Sequence, residues 1–139
     1  RDDDYEKVSS YFSEDFDIIL IDSLHEPNHV SKLIYTYWKH LKLNGSMYID
    51  DISWLPYMKN SWRDHEYTEN INRDTFNKIL EIQLSNYDNI NLIFSFSGSG
   101  MCRIIKQNHN ELSKPKLMFP RKNYFKKILK KLLFLFKKA

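Results

Sequence analysis
The chain has 139 residues, 42% of them apolar and 28% charged, and a formal net charge of +3. That length supports one domain with a real core, while a single cysteine, Cys102, rules out an internal disulfide and suits a reducing compartment. No cysteine–histidine spacing points to zinc, and no signal peptide is visible.

Asp2, Asp3 and Asp4 lead into Tyr5-Glu6-Lys7-Val8, with Tyr11 and Phe12 beyond, which predicts an acidic loop feeding a short helix. The run Phe16-Asp17-Ile18-Ile19-Leu20-Ile21 then ends in Asp22, with His25 three residues on. A largely apolar run of this length reads as a buried strand. In open α/β sheets ligands bind at the carboxyl ends of strands, so Asp22 and His25 are the first candidates for chemistry.

Val30, Leu33, Ile34, Tyr37, Trp38 and Leu41 recur at the three-four spacing of a helix buried on one face. Pro27 suits its first turn, and Asn44-Gly45 reads as the chain reversal after it. A second apolar run, Ser46-Met47-Tyr48-Ile49, ends in Asp50-Asp51. Strand, helix, strand implies a right-handed parallel crossover. Parallel neighbours lie about 4.8 Å apart, so carboxylates at the two strand ends come within reach of one divalent cation. Consecutive residues of a regular strand face opposite sides, so Asp50 and Asp51 share an ion only if the chain leaves the sheet between them.

The stretch after Asp51 carries Trp54, Tyr57, Trp62, His65 and Tyr67 without clear periodicity. It reads as a long aromatic-rich connection, and Trp54, Tyr57 and Trp62 are candidate substrate contacts; a loop packed on its own aromatics fits the composition equally. From Arg73 onward Phe76, Ile79, Leu80, Ile82 and Leu84 predict a helix ending near Asn86. Ile90 to Phe96 and Met101 to Ile105 read as strands joined by Ser97-Gly98-Ser99-Gly100. His29, His40, His65 and His109 are assigned to surfaces or helix faces.

From Lys114 to Ala139 there are ten Lys or Arg and no acid, so the first 113 residues carry a balance of −7. The expected division is therefore 1–113 and 114–139. Within the tail, Phe125, Ile128, Leu129, Leu132, Leu133 and Phe136 oppose Lys126, Lys127, Lys130, Lys131 and Lys137, the pattern of a basic amphipathic helix. Its apolar part is too short to span a bilayer and suits an anionic membrane surface, with residues 121–139 as the contact; docking on another subunit is the competing reading. Nucleic acid is not expected, because the basic groups alternate with bulky aliphatics and lack polar base readers.

The string FDIILIDSLHEPNHVSKLIYTYWKHLKLNGSMYIDDIS resembles the second half of a class I S-adenosylmethionine-dependent methyltransferase, of the group whose fourth strand ends Asp-x-x-His and whose fifth ends Asp-Asp. That group includes metal-dependent O-methyltransferases of sugars and small molecules. The resemblance spans roughly residues 14 to 106. It implies an α/β fold comprising strands four to seven of a Rossmann-like sheet with flanking helices. By motif it implies Asp22, Asp50 and Asp51 as ligands of a divalent cation, magnesium by the hardness of the donors, His25 as the base, and Asp22 also beside the S-adenosylmethionine. It further places one of Asp2, Asp3 or Asp4 near the adenine, although an acidic helix start explains them as well.

The family's glycine-rich loop has no counterpart among Gly45, Gly98 and Gly100, and the chain begins at Arg1, so a carboxyl-terminal part of a longer protein is expected. A sheet lacking its first three strands would expose an apolar edge and face. The function that follows is methyl transfer to a sugar or small-molecule hydroxyl, in the cytoplasm or on the inner face of a membrane. A non-catalytic interaction or membrane-tethering module on the same fold is the alternative.

Overall fold
A computed structural model of the chain describes residues 4–54 and 65–115. The expectations for Asp2, Asp3, Tyr57, Trp62 and the amphipathic tail lie outside those residues. Chain order is α1 (Tyr5–Ser10), β1 (Phe16–Ile21), α2 (Pro27–Tyr37), a short 3-10 turn (Trp38–His40), β2 (Leu41–Asp50), α3 (Glu66–Ser85), β3 (Ile90–Ser95) and β4 (Met101–Lys106). The four strands form one sheet in the order β1-β2-β4-β3, with β1 parallel to β2 and β4 antiparallel to both its neighbours.

One face of the sheet carries the core. Met47 and Ile49 of β2 and Cys102 and Ile104 of β4 pack with Val30, Leu33 and Ile34 of α2 and Ile79 and Ile82 of α3. Burying such side chains contributes about 1.5–3 kcal/mol each. The Cys102 thiol lies inside this layer, where burial pushes its pKa up and keeps it an inert apolar group. The opposite face is largely uncovered among the described residues, apart from Arg103 lying over Tyr48 and bonding Ser46: Ile18 and Leu20 are 64% and 63% exposed, and Ile93 lies on the same side. β1 is also an edge strand, as expected of a sheet comprising strands four to seven.

Two elements depart from the sequence reading. Asn44-Gly45 does not separate helix from strand but sits inside β2, where Asn44 takes a φ of 62°. The pairing jumps from Phe16↔Leu41 to Ile18↔Ser46, so the turn-forming pair makes a bulge within a strand that continues on both sides. A Cβ at Gly45 would lie 2.8 Å from the Lys42 carbonyl oxygen, which leaves glycine as the residue that fits. The second departure is α3, which starts at Glu66 instead of near Arg73 and takes up Tyr67. His65 caps it by accepting from the Tyr67 amide, and Glu66 and Glu69 favour its amino end. The first turns look aperiodic because the buried stripe Asn72, Thr75, Ile79, Ile82 is polar in its upper half.

Candidate functional site
Both loops of interest leave the same end of the sheet. β1 stops at Ile21, and Pro27 starts α2, so Asp22 to Glu26 form a short connection above the strand ends. β2 stops at Asp50, and Asp51 takes a left-handed φ of 54°. The chain therefore leaves the sheet between the two acids, the condition for both to face one centre.

The two loops meet at His25. Its Nδ1 lies 3.5 Å from Asp51 Oδ2, and its Nε2 lies 3.9 Å from Asp22 Oδ1. Both separations exceed a hydrogen bond and fall within ion-pair range. The imidazole is 16% exposed while the Asp22 carboxylate is 64% exposed, so one flank opens to solvent. Among the described residues, buried His25 Nε2 finds no hydrogen-bond partner, and the same holds for Ser53 Oγ and Trp54 Nε1.

Asp50 points elsewhere with one of its oxygens. Its Oδ1 accepts from the Asp51 amide and from Ser99 Oγ, both at 2.8 Å. Ser99 belongs to the turn between β3 and β4, which continues the contact: the Ser53 amide donates to the Ser99 carbonyl at 2.9 Å. Gly100 makes this approach possible, with a φ of 80° and room for no Cβ, since one would sit 2.5 Å from Ser53 N. The sequence marks Gly100 as a turn residue; its role beneath the acidic loop becomes visible only when β4 is paired with β2.

Further supports were equally invisible in the sequence. Asn72 Nδ2 donates to the Ser53 carbonyl at 2.8 Å, and Thr75 Oγ1 donates to the His25 carbonyl. His29, expected on a surface or helix face, does lie on α2 but is buried there. Its ring joins the Tyr5 hydroxyl (2.8 Å from Nδ1) and the Ser23 hydroxyl (3.2 Å from Nε2), tying α1 to the Asp22–His25 loop. Trp54 packs edge-on against Phe76 of α3 at 6.0 Å, in a cluster with Phe94 and Phe96. Among the described residues no group of three His, Cys, Asp or Glu side chains is assembled as an ion site.

A parallel β1-β2 pair joined by a helix, with the last strand inserted antiparallel beside β2, matches part of a Rossmann-like methyltransferase fold. Solved structures bear this out. The SAH-bound methyltransferase PaMTH1 of Podospora anserina matches 75% of this chain with a TM-score of 0.55 at 15% identity. A Staphylococcus aureus protein assigned as a caffeoyl-CoA O-methyltransferase matches 76% with a TM-score of 0.52 at 16% identity. At such identities the likeness establishes the fold. The chain spans about half of each, 46% and 47% of their lengths. No protein-family model and no curated protein matches the sequence.

Proposed function
We propose that this chain is the carboxyl-terminal part of an S-adenosylmethionine-dependent methyltransferase acting on a hydroxyl of a sugar or other small molecule. The observation that carries the reading is His25, held between carboxylates from two strand ends in this fold. A hydroxyl is a weak nucleophile at neutral pH and needs its proton removed as the new O–CH3 bond forms. With Nδ1 facing Asp51, the unpartnered Nε2 of His25 is free to take that proton, and Asp51 stabilises the resulting imidazolium. The cofactor supplies the methyl group on a positively charged sulfonium, and a divalent cation, when bound, lowers the pKa of the acceptor hydroxyl.

The donor set fits such a cation in chemistry: Asp22, Asp50 and Asp51 are hard oxygen ligands of the kind magnesium takes, and the left-handed Asp51 brings the chain out of the sheet after Asp50. Asp22 is also proposed to border the cofactor. Trp54 lies beside this end through its contact with α3, and Tyr57 and Trp62 are proposed with it as acceptor contacts.

The test is methyl transfer from radiolabelled S-adenosylmethionine by the complete protein, with magnesium binding followed by calorimetry. Asp22→Asn and Asp51→Asn are expected to abolish metal-stimulated transfer and weaken magnesium binding with folding intact. Full activity in both variants removes the metal role. A folded complete protein that neither binds S-adenosylmethionine nor transfers methyl groups returns the chain to the interaction-module reading.

The basic tail supports a site of action on the inner, anionic face of a membrane. No helix among the described residues is long and apolar enough to cross one. Ser113 is still held by Asn86 and Tyr35, and the charge changes at Lys114, which supports separating 1–113 from 114–139. Deleting residues 121–139 is expected to release the protein from anionic vesicles; unchanged binding overturns the membrane role.

A further inference from the structure
We propose that Asn72 and Thr75 are positioning residues that together set the separation between the two loops of the site, a role that rests on the reading of His25 as the base. Asn72 is 2% exposed and Thr75 0%, and they continue the stripe of α3 whose lower half is Ile79 and Ile82. Polar side chains buried at such positions cost stability unless each finds a partner. Both find a loop carbonyl, and each takes a different loop: Thr75 Oγ1 donates to His25 and Asn72 Nδ2 to Ser53, two residues beyond Asp51.

Three residues along a helix is about 4.5 Å of rise, so one rigid turn carries both attachments. The loops come from different strands, and α3 is attached to a carbonyl in each of them. Ser53 is also held on its amide side by the Ser99 carbonyl, so its peptide units are gripped from two directions. The carbonyl of His25 is gripped from α3. The 3.5 Å between His25 Nδ1 and Asp51 Oδ2 is therefore a product of α3 as much as of the strands.

Thr75→Val keeps the shape and removes the donor, whereas Thr75→Ser keeps the donor. In the complete protein Thr75→Val is expected to lower kcat by about tenfold to a hundredfold, the scale of a small misplacement of a reacting group, with KM for S-adenosylmethionine within about twofold. The imidazole resonances of His25 at a fixed pH should move while those of His29 stay, and Thr75→Ser should restore both readouts. Loss of thermal stability with kcat and the His25 resonances unchanged would overturn the proposal. Asn72→Ala reads the second attachment independently: displaced Asp51 and Ser53 amide resonances support it, and unmoved ones overturn it. If the parent protein transfers no methyl group, the function proposed above fails on its own assay, and the resonances still decide the positioning role.

Discussion
Where β2 begins, the Lys106 ammonium donates to the carbonyls of Trp38 (3.0 Å) and Leu41 (2.7 Å) and lies over the Trp38 ring, while the Trp38 indole donates to Asn110. Asn86 donates to Ile82 and Ser113 and accepts from the Ser113 amide, closing the end of α3 against the last described segment. Where β2 ends, by contrast, His25 Nε2, Ser53 Oγ and Trp54 Nε1 are buried without partners among the described residues, and Asp51 takes a left-handed backbone conformation that is uncommon outside Gly, Asn and Asp. Leaving buried polar groups unmade costs about 1–3 kcal/mol each. One end of the sheet spends its polar groups on stability. The other leaves three of them unpaired among the described residues.

Substitutions at the two ends should therefore separate activity from stability. The largest effect is expected at the open end: His25→Gln in the complete protein should lower kcat by about 10²–10⁴-fold with little change in thermal midpoint, measured by steady-state kinetics and scanning calorimetry. A variant that loses stability but keeps its rate would erase the contrast.

Gly100→Ala comes next, because its Cβ would meet Ser53 backbone at 2.5 Å and φ is already 80°. It should cost about 2–4 kcal/mol and also disturb the acidic loop. Gly98→Ala, with a φ of 61° and open space around it, isolates backbone strain at about 1–2 kcal/mol and should leave activity alone. Urea denaturation of the pair measures the difference.

At the closed end, Lys106→Met strands two carbonyls and should cost about 1–3 kcal/mol, with the rate of the folded protein unchanged. The smallest effect concerns Tyr35, whose hydroxyl donates to Ser113 at 2.7 Å. Burial raises its pKa above 10.0, with an opposing effect from Asn86. The unfolded chain then ionises first, so stability present below pH 10 is lost as pH rises through the folded-state value. Tyr35→Phe should flatten that alkaline decline in urea midpoints, and an unchanged slope would remove Tyr35 from it.

Much of the frame was legible without coordinates. The β1 run ending in Asp22, the buried face of α2 with Pro27 at its start, and the β3-β4 hairpin follow from local period and turn chemistry, although β1 is an edge strand with Ile18 and Leu20 exposed instead of a buried one, and Trp38 and Leu41, read on the helix, fall in the 3-10 turn and at the start of β2. The polar upper half of α3 was hidden, since Asn72 and Thr75 do not mark a core stripe by hydrophobicity. So was the bulge at Asn44-Gly45, because the same residue pair serves a turn or a bulge depending on what lies alongside.

By itself the sequence determined which residues could do chemistry and at which strand ends they emerge, because apolar runs and their polar exits are properties of neighbours along the chain. Tertiary structure alone decided that these groups converge. Thr75 reaches His25 across 50 residues, Ser99 reaches Asp50 across 49, and Asn72 reaches Ser53 across 19. Bonds from a side chain to a distant backbone leave no periodic trace, and they set where His25 and Asp51 stand.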